Sequence, residues 1–180
     1  MLISGSPHRA GPTARLLEAF ASSLPEGTAV ERFDCFSTPP APCVDCRACH
    51  ATGRCVHRDL DTVFGALEST DVLVIATPVY NLSFPAPLKA LIDRTQPYWA
   101  ARFIRGIRPP IARPRQAVLL TVSGADTLEG GELLEKQLRP TLTVLNAAPL
   151  RCVHYTGADV GRPLAPALRQ ARKAAAALFA

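Results

Sequence analysis

The chain has 180 residues, a length typical of one domain. With 48% hydrophobic and 19% charged residues, its composition supports a buried core and excludes a disordered or collagen-like polymer. Its apolar runs are far shorter than the roughly 20 residues that cross a bilayer, and its first residues do not resemble a secretory leader. We therefore expect one cytoplasmic domain over residues 1–180, without membrane contact.

The formal net charge of +5 comes from 20 basic and 15 acidic residues. Six arginines lie between residues 94 and 115 in a stretch that contains no acid. Such a local basic segment suits an anionic cofactor or an acidic protein as well as a nucleic acid. Because no common nucleic-acid-binding motif accompanies it, we expect no nucleic-acid partner.

Five short apolar runs predict strands, and five apolar stripes at helical spacing predict helices. The strands are Leu2-Ile3, Thr28–Phe33, Val72–Ala76, Ala117–Val122 and Leu150–Tyr155. The helical stripes run through Leu16, Phe20 and Leu24; Leu60, Val63, Phe64 and Leu67; Leu88, Leu91 and Ile92; Leu134, Leu138, Leu142 and Leu145; and Leu164, Leu168, Ala171, Ala175 and Leu178. Pro140 is expected to kink or interrupt the fourth helix.

Alternating strands and helices indicate an α/β fold, a parallel sheet with helices on both faces. The unbroken apolar runs at 72–76 and 117–122 are typical of strands covered on both sides. A cysteine-rich loop at 43–55 follows the second strand. The first strand is short for a central one, so either the sheet tolerates a stub or the true start lies upstream.

Three loops are expected at one edge of the sheet, because ligands of such sheets bind at the carboxyl ends of the strands. The first, residues 4–14, is rich in small and hydroxyl residues and precedes a helix, which suits an anion although it matches neither a GxGxxG nor a Walker A pattern. The second offers Tyr80 and Asn81 after a strand that breaks at Pro78, and the third is Ser123–Asp126. An ordinary capped helix and a packed Pro-rich connection remain the alternatives for the first two.

Four cysteines, Cys43, Cys46, Cys49 and Cys55, lie within thirteen residues. Cysteines spaced by two residues wrap one face of an iron–sulfur cubane, with a fourth thiolate from nearby chain. Zinc fits less well, because structural zinc sites more often use two separated CxxC pairs. Free or redox-active thiols remain a third interpretation.

The other chemistry-bearing residues favour structural roles. Cys35 and Cys152 fall on or near strands and are expected to be buried, inert thiols. His154 is expected to be a satisfied residue of a strand, and His50 and His57 flank a loop whose cysteines already complete a ligand set. Tyr98, Trp99 and Phe103 predict either a loop packed on a subunit partner or a lid over a ligand, whose arginines attract phosphate groups.

The sequence resembles the flavodoxin-like NAD(P)H-dependent FMN reductase superfamily, and most closely its iron–sulfur flavoproteins. The resemblance rests on GSPHRAGPTARLL (5–17), CVDCRACHATGRCVHRD (43–59) and DVLVIATPVYNLSFPAPLKALIDR (71–94), and it extends to about residue 124. It implies a flavodoxin-like three-layer sandwich with strand order 2-1-3-4-5, bound FMN and a homodimer or homotetramer. It also implies a 4Fe-4S cluster on the four loop cysteines.

The resemblance further implies which residues bind FMN. The phosphate would be bound by Ser6, His8, Thr13 and Ala14. One side of the isoalloxazine ring would be bordered by Thr77, Pro78, Val79, Tyr80 and Asn81, and its other side by Ser123, Gly124 and Asp126. Two positions depart from the family pattern. His8 stands where the family usually has Arg, unless Arg9 substitutes, and of the acids after the cysteines only Asp59 is in register.

These features predict an FMN oxidoreductase with no catalytic side chain, because the chemistry takes place on the flavin. NAD(P)H or a ferredoxin-like donor would supply electrons, and a small-molecule or protein acceptor would remove them. The alternatives are a cluster-free NAD(P)H:FMN or quinone reductase, a non-enzymatic electron carrier, and a thiol or zinc redox module.

Overall fold

The computed structural model describes residues 1–179. Five strands form its sheet: β1 (Leu2–Ser4), β2 (Arg32–Asp34), β3 (Val72–Pro78), β4 (Arg115–Val122) and β5 (Ala147–Tyr155). The helices are α1 (Pro12–Ala21), α2 (Ala48–Thr52), α3 (Asp61–Ser69), α4 (Ala86–Asp93), α5 (Gln96–Phe103), α6 (Glu129–Val144) and α7 (Ala165–Ala176).

All neighbouring strands are parallel, in the order β2-β1-β3-β4-β5. This confirms the flavodoxin-like sandwich. β1 is central although it has only three residues, and Ile3 lies opposite Phe33 on one side and Ile75 on the other. The short first strand is therefore tolerated because both of its neighbours pair with it.

The helices form two layers, one on each face of the sheet. α1 and α7 pack on one face, where Phe20, Val118 and Ala171 belong to one buried cluster. α3, α4 and α6 cover the other face, where Leu88 and Leu138 are almost fully buried. Burial on both faces explains why the sequences of β3 and β4 are continuously apolar.

Two predicted elements differ in extent. β2 spans only Arg32–Asp34 rather than Thr28–Phe33, because Thr28 closes a turn through its N–H to the carbonyl of Pro25, at 3.2 Å. At the other edge of the sheet, β5 begins at Ala147, three residues before the predicted start.

The helices differ from the expectation in two places. α6 is not interrupted, because Pro140 is exposed and its ring removes only one hydrogen-bond donor from a helix of 16 residues. Residues 96–103, expected as a loop, form α5, in which Pro97 occupies the first turn, where a missing N–H is not needed.

Within residues 1–179, the helices lack the combined length and apolar character that crossing a bilayer requires.

Candidate functional site

The loops that follow β1, β3 and β4 lie side by side at the carboxyl edge of the sheet. Backbone hydrogen bonds continue the strand pairing one residue beyond the strands. Three of them, each 2.8 Å long, run from Gly5 N–H to the Ala76 carbonyl, from Val79 N–H to the Val122 carbonyl and from Ser123 N–H to the Tyr155 carbonyl. The main chain therefore brings the three predicted loops to one edge.

The first loop is built for close backbone packing. A Cβ on Gly5 would lie 2.5 Å from Cδ2 and 3.1 Å from Cβ of Leu88, so a larger residue where the chain leaves β1 would force Leu88 to move. Ser6 is buried, and its hydroxyl accepts the N–H of His8 at 3.2 Å. The His8 side chain is exposed, so this loop leaves an imidazole free at the edge of the sheet.

The first turn of α1 offers backbone donors. Gly11 precedes the helix with an extended backbone, and in the described chain no side chain caps the helix start. Thr13 is buried and Ala14 half-buried. Uncapped N–H groups and the helix dipole attract an anion, so these residues fit the phosphate that the sequence predicts here.

The nearby Arg9 does not simply replace the family's arginine. Its guanidinium donates to the hydroxyl of Ser37 at 3.0 Å, in the loop after β2. Because this contact is exposed, it would cost little to break, and Arg9 remains within the same loop as His8.

The loop after β3 ends in a tight turn. Tyr80 and Ser83 exchange backbone hydrogen bonds of 3.0 and 2.9 Å, and both central residues, Asn81 and Leu82, have positive φ angles of 50° and 57°. A left-handed backbone is common for asparagine but costly for leucine. The turn holds Tyr80 and Leu82 42% and 49% exposed, which provides apolar surface for a flat ring.

Not every predicted ring contact has a free side chain. Thr77 is fully buried, and its hydroxyl donates to the carbonyl of Pro78 at 2.8 Å. Pro78 is itself buried, and Val79 packs with the core and lies against Gly130, where a Cβ would be 2.8 Å away. Thr77 and Pro78 therefore shape the edge rather than offering polar groups to it.

The loop after β4 is fixed to the loop after β5. Gly124 accepts the N–H of Asp159 at 3.2 Å, and a Cβ on Gly124 would overlap that aspartate. Asp126 forms an ion pair with Arg162 at 2.6 Å. Ser123 is buried and Gly124 half-buried at the edge, whereas the carboxylate of Asp126 is neutralised by Arg162.

The four loop cysteines line one small cavity, together with His50, Arg94, Gln96 and Pro97. All are free thiols; Cys43 and Cys46 are exposed, Cys55 is half-buried and Cys49 is buried. Burial, more than neighbouring thiols, raises the pKa of Cys49. The loop therefore presents four sulfur donors around a common space.

The backbone of this loop turns sharply at three left-handed residues. Asp45 and Arg47 both have left-handed conformations, with φ angles of 47° and 58°, and Gly53 has φ 74°. The short helix α2 lies between them. Left-handed residues in a loop turn the backbone sharply, and such turns are found where main-chain N–H groups bind an anion.

The sulfur spacing bears on which metal group would fit. Among residues 1–179, no three of these loop sulfurs approach within 4.8 Å of one another, whereas Glu135, Cys152 and His154 do form such a group. A single zinc ion needs its ligands that close, but in a cubane each thiolate binds a different iron. In the described chain the four sulfurs therefore line one cavity without forming the compact ligand set of a single zinc ion.

Arg94 bonds the two segments of chain that flank the cysteine-rich loop. Its side chain is fully buried and donates to the carbonyl of Ala41 at 2.9 Å and to that of His57 at 3.0 Å. It also forms an ion pair with Asp59 at 2.8 Å. One guanidinium thus joins the segments that enter and leave the loop.

The arginine-rich stretch is not one basic patch. Arg94 and Arg115 are buried, and Arg115 donates to the carbonyl of Leu67. Arg113 pairs with Asp71. Three of the six arginines are therefore buried or already paired.

The aromatic residues of this stretch lie on α5, which packs on α2. Tyr98 is buried, and its hydroxyl donates to Glu68 at 2.8 Å. Trp99 is 38% exposed and contacts both His50 of the cysteine loop and Phe103, with ring centroids 5.9 and 5.4 Å apart. Trp99 and Phe103 therefore form an exposed aromatic surface beside the cysteines.

The two remaining cysteines and His154 are placed differently from one another. Cys35 is fully buried, as predicted, and burial raises its pKa to about 12. Cys152 is only half-buried; desolvation and a 3.3 Å hydrogen bond to Glu135 raise its pKa to about 12. Nδ1 of His154 lies 2.7 Å from the Thr121 hydroxyl, which satisfies one ring nitrogen as expected.

Comparison with known proteins decides the family. A family model described as NADPH-dependent FMN reductase matches residues 1–159. The chain belongs to this family. The match includes all three edge loops and the cysteine-rich loop.

Several relatives have similar sequences. An iron–sulfur flavoprotein of Archaeoglobus fulgidus is 35% identical over 58% of this chain and 48% of its own length. An FMN-dependent NADH:quinone oxidoreductase of Beijerinckia indica is 30% identical over 67% of this chain and 62% of its own. The matched region thus spans about half to three fifths of these relatives.

Solved structures confirm the fold. The NAD(P)H:quinone oxidoreductase from Methanothermobacter marburgensis superposes with a TM-score of 0.73, covering 97% of this chain and 95% of that chain at 20% identity. An FMN-dependent NADH-azoreductase from Bacillus anthracis, solved with FMN, gives a TM-score of 0.66 over 98% and 97% of the two chains at 16% identity.

Two residues, Arg94 and Glu135, were not identified from the sequence as structurally or chemically important. Arg94 was named only as one arginine of a basic stretch, and Glu135 was not singled out. The resemblance placed Asp59 in register with a family acid, which was a usable signal for a structural role, but its partner lies 35 positions away.

Proposed function

We propose that this protein is an FMN-dependent oxidoreductase of the iron–sulfur flavoprotein type. It would pass electrons from NAD(P)H or a ferredoxin-like donor to a small-molecule or protein acceptor. The observation that carries this proposal is the alignment of three loops by backbone hydrogen bonds at the carboxyl edge of the sheet. Bound there, FMN would supply two-electron chemistry and release single electrons.

The phosphate would lie at the start of α1. Ser6, Thr13 and the backbone of Ala14 would donate hydrogen bonds, supported by the uncapped helix end. His8 is an exposed side chain of this loop, and Arg9 would add a permanent charge after leaving Ser37.

The ring system would lie between the other two loops. Val79, Tyr80 and Asn81 would border one side, above the buried Thr77 and Pro78, and Ser123 and Gly124 the other. Exposed apolar side chains exclude water from a flat ring, and main-chain groups bind its polar edge. Asp126 would act indirectly, because its carboxylate already pairs with Arg162.

The cysteine loop would hold a 4Fe-4S cluster through Cys43, Cys46, Cys49 and Cys55. The support is the shared cavity, the four free thiols and the three left-handed residues of the loop. The buried Arg94 would place a positive charge beneath anionic sulfur and hold the loop closed.

A cluster-free NAD(P)H-dependent reductase is the second candidate. Relatives named FMN-dependent NADH:quinone oxidoreductase and FMN reductase (NADPH) favour it. In that case the cysteines would be free thiols, and Trp99 and Phe103 would serve an interface with a second copy, consistent with a homodimer or homotetramer.

Anaerobic purification with FMN, iron and sulfide analysis tests the proposal. We expect flavin together with four irons. Replacing Cys46 by Ala should abolish iron but leave FMN bound, while Cys35→Ala, at a buried thiol outside the loop, should leave both. Flavin without iron would establish the cluster-free reductase, and protein that takes up neither would leave only a thiol or zinc module.

The phosphate assignment has its own test. Thr13→Val removes one hydroxyl without changing the side-chain shape, and we expect FMN to bind about tenfold more weakly. Thr28→Val, at the opposite edge of the sheet, is the matched control. NAD(P)H oxidation with and without a quinone then separates an enzyme from an electron carrier.

A further inference from the structure

Three ligating side chains meet on the face of the sheet that α6 covers. Cys152 and His154 lie two residues apart on β5 and therefore point to the same side. Glu135 lies on α6, which packs against that strand. One ligand atom from each of the three lies within 4.8 Å of the other two.

The close approach of α6 depends on Gly131. A Cβ at this position would lie 2.4 Å from Nδ1 of His154, so a larger residue would force the helix away. Glu135 follows one turn later, and its Oε2 lies 3.3 Å from Sγ of Cys152. The packing thus sets a carboxylate directly above the thiol.

Neighbouring groups orient two of the three side chains. The Thr121 hydroxyl contacts Nδ1 of His154 at 2.7 Å and fixes the ring. Arg139 bonds Oε1 of Glu135, which leaves Oε2 facing Cys152. Protein metal ligands are commonly held in this way by hydrogen bonds from outside the ligand set.

We propose that Glu135, Cys152 and His154 form a binding site for a single Zn²⁺ ion. Sulfur, nitrogen and oxygen donors in this number match zinc sites with three protein ligands and a water in the fourth position. The side chains are half-buried, so water can reach that position. On binding, the ion replaces the thiol proton, which passes to solvent.

This site is separate from the cysteine-rich loop and does not depend on the proposed cluster. β5 is an edge strand, paired only with β4, and helix α6 covers one face of it. A metal bound between β5 and α6 would therefore secure the free edge of the sheet beside the proposed flavin site.

Cobalt titration of a four-serine variant tests the site. Replacing Cys43, Cys46, Cys49 and Cys55 by Ser removes the competing sulfur ligands, so one equivalent of Co²⁺ should give the visible bands of tetrahedral coordination with sulfur. Adding Cys152→Ser should abolish the sulfur-to-cobalt band, and Glu135→Gln or His154→Gln should weaken binding at least about tenfold. Glu129→Gln, an exposed carboxylate on the same helix, should change nothing.

Native mass spectrometry of the intact chain gives a second, independent measurement. With excess Zn²⁺, the chain should bind one ion more than its Cys152→Ser variant. Equal stoichiometry in these two proteins, or a folded four-serine variant that binds no cobalt, would overturn the proposal.

Discussion

The fully buried guanidinium of Arg94 forms an ion pair with Asp59, with Nη2 and Oδ1 2.8 Å apart. The pair joins helix α4 to the end of the cysteine-rich loop, and the same guanidinium bonds carbonyls on both sides of that loop. The geometry of the four cysteines therefore depends on a charge that lies in the core.

Removing one partner of this pair should destabilise the protein. Asp59→Asn would leave the Arg94 charge buried without its counterion, and we expect a loss of about 1–3 kcal/mol in the free energy of unfolding, because Asp59 itself is partly solvated. Urea denaturation measures it. As a control, Asp61→Asn removes an exposed ion pair with Arg58 and should lower the free energy of unfolding by no more than about 1 kcal/mol. Equal losses of stability in the two variants would contradict the structural role of Arg94.

The same pair predicts a pH dependence. Burial opposes ionisation of Asp59, but hydrogen bonds from Arg94 and from the Ala41 N–H outweigh it and hold its pKa below the ordinary 3.8. Since the folded-state pKa is lowered, the stabilisation is complete above pH 3.8 and is lost as the pH falls towards the folded value. The stability difference between wild type and Asp59→Asn should therefore shrink when urea unfolding is repeated at about pH 3 instead of pH 7.

Thiol reactivity should distinguish the cysteines. In protein stripped of iron, iodoacetamide at pH 8 should label the exposed Cys43 and Cys46 rapidly. Cys35 should stay unlabelled until the chain unfolds, because it is buried and its pKa is raised to about 12. Mass spectrometry of tryptic peptides measures the order in which the cysteines are labelled, and protein unfolded in guanidinium is the control. Fast labelling of Cys35 in the native protein would contradict its buried position.

Glycine at the end of β1 should be required. Gly5→Ala would place a Cβ 2.5 Å from Leu88, and we expect it to cost about 1–3 kcal/mol in the free energy of unfolding and to weaken FMN binding. Gly65→Ala, in α3 with open space around it, should instead stabilise by about 0.5–1 kcal/mol. Thermal unfolding of both variants shows whether each substitution lowers or raises the stability. A Gly5→Ala variant as stable as the wild type would show that the first loop tolerates a shift.

The sequence patterns predicted the sheet well because both faces of β3 and β4 are buried, which leaves an unmistakable apolar run. They also predicted which loops meet at one edge, since the carboxyl ends of parallel strands lie together. α5 was missed because its polar and aromatic residues lack a regular apolar stripe, and its single buried face contacts α2 and α6.

Side-chain partners separated along the chain were beyond the reach of the sequence. Nothing local distinguishes Arg94, which is buried, from Arg102, which is only half-buried on the next helix. Likewise, Glu135 and Cys152 are 17 residues apart, and only the packing of α6 at Gly131 brings them into contact. Long-range pairs of this kind are set by tertiary packing rather than by spacing.

The hydrogen bonds that extend the strand pairing beyond β1, β3 and β4 involve main-chain atoms alone. Because peptide groups fix this edge, exposed side chains such as Tyr80 and Leu82 can be replaced without loss of the strand pairing, whereas Gly5 and Gly124 pack too closely for larger residues. Exchanging the exposed side chains is therefore a suitable starting point for redesigning what the proposed flavin site accepts.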